Sequence, residues 1–150
     1  MNFKIPVSVL VVLHTPSLEV LLLERASRPG FWQSVTGSID HPDEPLEETA
    51  LREVGEETGI DAASYPLSRW NLVNSFEIYL QWRHRYAPGV TQNTEHVFSL
   101  ALPGRLPVTV APHEHLAHLW LPWREAAEKC FSWSNRNAIL MLPQRVPASA

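Results

Sequence analysis

The chain has 150 residues, of which 45% are hydrophobic and 19% are charged, and its formal net charge is −4. This length and composition predict one globular domain over residues 1–150, and the negative charge disfavours nucleic acid and anionic membranes as partners. The single cysteine, Cys130, excludes an internal disulfide and suits a reducing compartment, so we expect a cytoplasmic protein in which Cys130 packs as a small apolar residue.

The first half of the chain alternates apolar runs with turn residues. Thr15–Ser17 and Arg28–Gly30 are turn sequences, and they divide the first apolar runs into separate extended segments. A helix follows, with Pro45 at its first position and Gly59 as its C-terminal cap. The predicted extended segments before the helix are residues 4–14, 18–24 and 31–37.

The second half of the chain predicts more strands and two terminal helices. The last helix ends at Leu142 and is capped by Ser132 or Ser134, and the tail 143–150 is expected to be frayed. Strands on both sides of one helix, followed by terminal helices, predict a mixed α/β layer arrangement. The predicted segments are the strands 67–74, 75–82, 95–102 and 114–120 and the helix 122–129.

A stripe of carboxylates lies on the first predicted helix. At about 100° per residue, Glu53, Glu56 and Glu57 share one arc, while Leu51 and Val54 fall on an adjacent arc that can face a core. Like charges at this spacing weaken a helix by a few tenths of a kcal/mol per pair. The stripe is therefore either a solvated acidic face or a site for a hard divalent cation that takes oxygen ligands, with Mg²⁺ as the leading case.

The order of these residues resembles the Nudix family. Residues 52–60, Arg-Glu-Val-Gly-Glu-Glu-Thr-Gly-Ile, match each fixed position of the family's Arg-Glu-Ψ-x-Glu-Glu-x-Gly-Ψ box, where Ψ is aliphatic. Glu44 stands at the family's spacing before Arg52, and Gly37 resembles the opening glycine. One extra residue separates Gly37 from Glu44, and the loop Asp40–Asp43 can absorb it.

The Nudix resemblance implies a fold and a cofactor. The implied fold is an α/β/α sandwich with a mixed central sheet. The implied cofactor is Mg²⁺, with Mn²⁺ as an alternative, held by Glu53, Glu56 and Glu57.

Other segments resemble the branch of the Nudix family that hydrolyses dihydroneopterin triphosphate in folate biosynthesis. They are spread over almost the whole chain: residues 31–38, 83–91, 93–95, 114–117 and 132–136. The reaction implied is metal-dependent hydrolysis of dihydroneopterin triphosphate to dihydroneopterin monophosphate and pyrophosphate. The expected partner is therefore a small-molecule triphosphate.

A triphosphate substrate with a flat ring needs cations and an apolar wall. Guanidinium groups match phosphate geometry, so Arg25, Arg83 and Arg85 are candidates, and Arg25 is preferred because it ends a strand just before the box segment. Trp133 can contact the ring, whereas Trp70, Trp120 and Trp123 are assigned to packing. The remaining predicted substrate-binding residues are Lys4, Thr36, Phe76, Glu77, Ile78, Tyr79 and Ser132.

Glu114 is the candidate carboxylate from outside the box. It lies where a Pro-bounded connection enters an extended segment, and Glu114-His115-Leu116-Ala117 resembles the position from which family members complete the metal site. The resemblance implies that Glu114 acts as a metal ligand or as the base that deprotonates water. Without the resemblance, an exposed loop glutamate is the simpler interpretation.

The sequence also offers an alternative metal site and alternative functions. His113, His115 and His118 cluster, but no cysteine supports them and the chain has no His-Glu-x-x-His helix, so substrate contact or surface solvation is favoured over zinc. The alternatives to pterin hydrolysis are a Nudix hydrolase of a nucleoside triphosphate or dinucleotide polyphosphate, and a non-catalytic Nudix module that binds a nucleotide. The complete glutamate set argues against the module.

Overall fold

The computed structural model describes residues 3–146. Within that range, seven strands form one mixed sheet, accompanied by three α-helices and two short 3₁₀ helices. The strands are β1 Val7–His14, β2 Glu19–Arg25, β3 Trp32–Gln33, β4 Val35–Ser38, β5 Leu67–Glu77, β6 Gln92–Ala101 and β7 His115–Pro122. The helices are α1 Leu46–Thr58, α2 Trp123–Lys129 and α3 Trp133–Arg145, and the 3₁₀ helices are Ala62–Ser64 and Leu80–Arg85.

The sheet has mixed strand directions. Its main path runs β3-β2-β1-β6-β5, while β4 pairs with β1 and β7 pairs with β2. The pair β1 and β6 is parallel, and the other paired strands are antiparallel. This mixed sheet confirms that part of the expected fold.

Alternating side chains of β1 supply the two halves of the core. Val9 and Val11 pack with Ala50 and Val54 of α1, whereas Leu10 and Val12 pack in a second cluster with residues of α2 and α3. Helices therefore cover both faces of the sheet, as an α/β/α sandwich requires. Cys130 is buried in the second cluster, which confirms its predicted packing role.

Helix α1 follows its predicted ends closely. Gly59 has φ 74°, the left-handed conformation that glycine adopts without steric cost, and its N–H donates to the Gly55 carbonyl. Pro45 has an extended ψ of 139° and therefore precedes the helix instead of opening it. The predicted segment 31–37 is divided between β3 and β4, and the other predicted strands apart from 75–82 differ from the observed ones by a few residues at their ends.

The predicted strand 75–82 is wrong beyond Glu77. The chain leaves the sheet there and forms the 3₁₀ helix Leu80–Arg85, so Leu80 is 76% exposed instead of sharing a buried face with Ile78. The Arg83 guanidinium donates to the Ile78 carbonyl and to the Glu77 carboxylate, and these two bonds hold the reversal of the chain. The local alternation of apolar residues could not reveal this reversal.

Helix α3 begins as predicted and ends later. The Ser132 hydroxyl accepts from the Asn135 N–H, so Ser132, of the two candidates, is the cap. The helix continues past Leu142 through Pro143 to Arg145, whose guanidinium donates to the Trp70 carbonyl. Residues 143–145 are therefore helical instead of frayed, and the rest of the predicted tail from residue 147 lies outside the described residues.

The helices also bear on membrane association. None of those between residues 3 and 146 has the length and apolar character needed to cross a bilayer.

Candidate active site

The three glutamates of the α1 stripe lie in different environments. Glu57 is 2% exposed, whereas the Glu53 side chain is 12% exposed and the Glu56 side chain is 56% exposed. The difference follows from the helix, because α1 packs Ala50, Val54 and Thr58 against the sheet and the arc carrying Glu57 borders that face. The stripe therefore runs from the protein interior to solvent.

Arg52 organises a rim cluster, which we define as Asp40, Glu44, Arg52 and Glu56. Its guanidinium lies 3.0 Å from Glu44, 3.3 Å from Asp40 and 3.5 Å from Glu56. These bonds to Arg52 hold the pKa of Glu44 at about 2. The Asp40 N–H also donates to Glu44 at 2.8 Å, so the loop absorbs its extra residue without losing the Glu44–Arg52 contact.

Gly37 makes room for the Glu53 carboxyl group. The β1–β4 pairing places Gly37 opposite Val9, and a Cβ added at Gly37 would overlap the Glu53 carboxyl. Arg52 contacts the same carboxylate at 2.8 Å. The glycine and Arg52 together fix where this side chain lies.

Burial raises the pKa of both inner glutamates. For Glu53, burial is the largest cause of the increase. For Glu57, burial again dominates, and a hydrogen bond from its carboxyl to Glu53 and the charges of Glu53 and Glu114 add to it. Glu53 and Glu57 are hydrogen-bonded to each other, so both carboxyl groups resist being ionised at the same time. A cation between them would lower the free-energy cost of ionising both.

The pairing of β2 with β7 brings distant groups to this stripe. The register places Arg25 opposite His115, at an irregularity between Glu24 and Arg25. The His115 Nε2 atom then lies 3.5 Å from Glu57 Oε1, and burial lowers the pKa of His115, which favours its neutral form. Glu114 directly precedes β7, and its carbonyl accepts from the Ala26 N–H at 2.9 Å.

Basic groups lie beside the glutamates. Burial, followed by the charges of Arg85 and Arg25, lowers the pKa of Lys4. The Arg25 guanidinium stacks 4.5 Å from the Trp82 ring centroid and donates to Gln33 at 3.1 Å, and Gln33 donates to the Thr36 hydroxyl at 3.3 Å. Cationic side chains next to buried carboxylates suit a ligand that carries negative charge of its own together with a metal.

The groups described above, apart from Glu44, line one cavity of about 1290 Å³. All predicted metal ligands line it, and so do all predicted substrate-binding residues except Arg83. These lining residues include Lys4, Arg25, Thr36, Glu53, Glu56, Glu57, Phe76, Glu77, Ile78, Tyr79, Glu114 and Ser132.

The sequence model of the NUDIX domain matches residues 4–142. The chain belongs to the Nudix family. It is 46% identical over 140 residues to dihydroneopterin triphosphate diphosphatase of Escherichia coli K12, with 91% of each chain covered. It is 38% identical over 143 residues to the Haemophilus influenzae enzyme of the same name, with 93% of this chain and 88% of that one covered.

A solved structure gives the same relationship. The E. coli dihydroneopterin triphosphate pyrophosphohydrolase superposes with a TM-score of 0.89 at 44% identity, covering 97% of this chain and 100% of that one. The Nudix α/β/α fold expected from the sequence is thereby confirmed, and the chain is a Nudix hydrolase. Nudix hydrolases in general depend on a divalent metal.

The residues of this Nudix hydrolase fit a divalent cation by their chemistry. Glu57 Oε1 is buried and has no hydrogen-bond partner among the described residues, and its neighbours Glu53 and Glu114 supply further carboxylate oxygens of the kind that Mg²⁺ prefers. Within residues 3–146, no three His, Cys, Asp or Glu side chains lie close enough together to hold a metal ion in this arrangement.

The other sequence candidates separate clearly. Trp133, Arg85 and His113 line the cavity of the Nudix hydrolase, whereas Arg83 holds the 3₁₀ helix and is absent from the lining. His118 also lies outside the cavity lining. Trp70, Trp120 and Trp123 pack against the two core clusters, as predicted.

Sequence reasoning assigned no role to Asn93 or Glu95, although residues 93–95 were part of the resemblance. Among the described residues, five buried side-chain polar atoms have no hydrogen-bond partner, and each belongs to a residue that lines this cavity. We call these residues the interior set: Arg25, Glu57, Asn93, Glu95 and His115. A signal existed for Asn93 and Glu95, because polar residues two apart in a strand whose later residues are apolar place polar groups on one sheet face.

Proposed function

We propose that this Nudix hydrolase converts dihydroneopterin triphosphate and water into dihydroneopterin monophosphate and pyrophosphate. The observation that carries the proposal is a single cavity whose lining brings together the acidic stripe, the cations Lys4 and Arg25, and aromatic side chains. Relatives that cover nearly the whole chain and carry the name of this activity support the choice of substrate. The proposed setting is cytoplasmic folate biosynthesis.

The acidic stripe is the proposed metal site. Glu53, Glu56 and Glu57 of α1 and Glu114 before β7 would hold Mg²⁺ through carboxylate oxygens. The metal, when bound, neutralises phosphate charge and positions water for attack. The raised pKa of Glu57 supports this assignment, because a site prepared for a cation is unfavourable for unbalanced carboxylates.

Glu114 has a second proposed role, as the general base. It is exposed to the cavity and its charge raises the pKa of Glu57. If it does not hold metal, it would take the proton from the attacking water. His115, the residue after Glu114, has its Nε2 atom 3.5 Å from Glu57 Oε1 and would keep the Glu57 side chain in place.

The cations would bind the triphosphate. Arg25 is held by Gln33 and Trp82, so its guanidinium is oriented before the substrate arrives. Its Nε atom belongs to the interior set and is a donor available to a phosphate oxygen. Lys4 adds a second positive charge, and the Thr36 hydroxyl adds a donor beside Gly37.

The aromatic part of the cavity would hold the pterin ring. Tyr79 and Trp82 meet edge to face with centroids 5.2 Å apart, and Phe131 lies 6.1 Å from Tyr79. Phe76 and Ile78 add apolar surface, and Ser132 adds a hydroxyl. Glu77, which lies between Phe76 and Ile78, adds a carboxylate to the cavity lining. An aromatic wall of this kind suits a flat ring.

The test is a substrate panel with Mg²⁺, in which pyrophosphate and orthophosphate are measured separately and pyrophosphatase is absent. We expect dihydroneopterin triphosphate to give the highest kcat/KM and pyrophosphate as the primary product. Orthophosphate as the primary product would contradict the proposed bond cleavage. A preference for adenine or guanine triphosphates would favour a nucleotide hydrolase instead.

A second measurement identifies the phosphorus that water attacks. The reaction is run in ¹⁸O-labelled water, and the label is located in dihydroneopterin monophosphate or in pyrophosphate. Label in dihydroneopterin monophosphate means that water attacks the phosphorus that remains in this product. Label in pyrophosphate means that water attacks the phosphorus that leaves with pyrophosphate.

A further inference from the structure

Two members of the interior set are hydrogen-bond acceptors on the opposite sheet face from α1. Asn93 is 5% exposed and Glu95 is 4% exposed, and both line the cavity. They are two residues apart in β6, so their side chains share one face. That face also carries Val97, which packs in the cluster formed with α2 and α3.

Neighbouring residues satisfy only part of this pair. The Asn93 amide donates to the Ser8 hydroxyl at 2.8 Å, which leaves its Oδ1 as an acceptor. Ser134 and Asn74 hydrogen-bond the Glu95 carboxyl group. Within residues 3–146, Asn93 Oδ1 and Glu95 Oε1 nevertheless have no partner.

A purely structural role does not account for both acceptors. A buried polar atom without a partner costs roughly 1–3 kcal/mol, and most buried polar atoms in native proteins are paired. Burial also raises the pKa of Glu95, so the surrounding protein alone stabilises its charge poorly. Donors from a ligand would remove both costs.

The surroundings indicate the shape of that ligand. Strand pairing places Phe76 of β5 opposite Asn93, so an apolar ring flanks the acceptors on the same face. Ile78, Tyr79 and Trp82 continue the cavity wall beyond Phe76. The ligand part that fits is a flat heterocycle whose edge carries adjacent N–H donors.

We propose that Glu95, with Asn93 beside it, recognises the 2-amino-4-oxopyrimidine edge of the substrate ring and so determines its specificity. The ring nitrogen N–H and the adjacent amino group of that edge are donors, and carboxylate and amide oxygens accept from them. The inference rests on the proposed function for the identity of the substrate. It adds the residue that would distinguish a pterin from rings that lack this edge.

The test measures ring binding apart from hydrolysis. Neopterin, which has the ring but no phosphate, and its 2-oxo analogue are titrated into the metal-free protein and followed by their fluorescence. We expect Glu95→Gln to weaken neopterin binding at least about tenfold, because Gln keeps one acceptor oxygen but turns its NH₂ donor toward one of the ring's two donors. The 2-oxo analogue should bind the wild type less well than neopterin and should change less in the variant.

Two further variants complete the design. Glu128→Gln removes the same charge from an exposed position on α2, outside the cavity lining, and should bind neopterin like the wild type. Asn93→Leu removes the second acceptor at similar volume and should weaken neopterin binding by a smaller factor. The wild-type comparison of neopterin with its 2-oxo analogue needs no substitution, so it decides the matter if Glu95→Gln does not fold.

Kinetics separate this inference from the proposed function. With dihydroneopterin triphosphate, Glu95→Gln should raise KM at least about tenfold while kcat changes little. Hydrolysis with an unchanged KM would overturn the role of Glu95 and leave the proposed function standing. Glu95-dependent neopterin binding without hydrolysis of the triphosphate would do the reverse, and undetectable neopterin binding to the wild type would overturn the inference.

Discussion

The rim cluster and the interior set place charged groups next to the same cavity but treat them in opposite ways. At the rim, Arg52 contacts Asp40, Glu44 and Glu56, and the pKa of Glu44 falls to about 2. In the interior, the pKa of Glu57 rises because it is buried beside other carboxylates. The well-paired Glu44 stabilises the fold, whereas incompletely paired buried groups are prepared for a ligand.

Glu57→Gln should have the largest effect, because it changes a buried carboxyl of the interior set. We expect turnover with Mg²⁺ to fall at least about a hundredfold, because a cation ligand is lost at nearly constant shape. The melting temperature of the metal-free protein should not fall, since the amide replaces a carboxyl whose charged form is unfavourable in the fold. Turnover and thermal melting are measured beside Glu128→Gln, and full turnover by Glu57→Gln would remove Glu57 from the mechanism.

Glu114→Gln tests whether the acidic site extends beyond α1. A general base contributes about 10²–10⁴-fold, so turnover should fall at least about a hundredfold if Glu114 deprotonates water. A fall that high Mg²⁺ rescues identifies a metal ligand, and one that it does not rescue identifies the base. Turnover is measured against Mg²⁺ concentration, and no change at any concentration would return Glu114 to a surface role.

Gly37→Ala tests the position of Glu53, which contacts Arg52 of the rim cluster and neighbours Glu57 of the interior set. The added methyl would displace the Glu53 carboxyl, so we expect a loss of about 10–100-fold in activity at low Mg²⁺, typical of disturbed ligand positioning. Higher Mg²⁺ should recover part of it. Gly104→Ala is the control, because nothing lies within 4 Å of a Cβ added there; equal activity of the two variants would contradict the role of Gly37.

Glu44→Gln should affect stability more than catalysis. Losing its hydrogen bonds with Arg52 should lower the free energy of unfolding at pH 7 by about 1–3 kcal/mol. The lowered pKa of Glu44 makes this contribution present above its ordinary pKa of 4.5, and it is lost as the pH falls toward 2. Denaturant unfolding across that range checks it.

Glu47→Gln supplies the matched control for Glu44→Gln. Glu47 forms an exposed pair with Arg69 at 3.0 Å, and such pairs contribute about 0–1 kcal/mol. If the two variants unfold alike at pH 7, the rim cluster does not stabilise the fold in the way described.

The helix and its charge were predictable because their information is local. The caps and the spacing of Glu53, Glu56 and Glu57 lie within one run of residues, where a period of 3.6 applies directly. Resemblance outside the Nudix box extended this to Glu114 and Lys4, and the needs of the substrate suggested the other cavity residues. The predicted strand at 75–82 was wrong beyond Glu77 because Arg83 turns the chain through contacts that periodicity does not encode.

By itself, the sequence determined the acidic stripe, its helix and the family. Only the tertiary structure decided that Glu57 is buried against His115 and that Asn93 and Glu95 are acceptors in the cavity wall. The physical reason is strand pairing: β2 with β7 places Arg25 opposite His115, and β1 with β6 places Ser8 opposite Glu95. Which groups remain unpaired depends on neighbours far away in the chain, so no local pattern contains it.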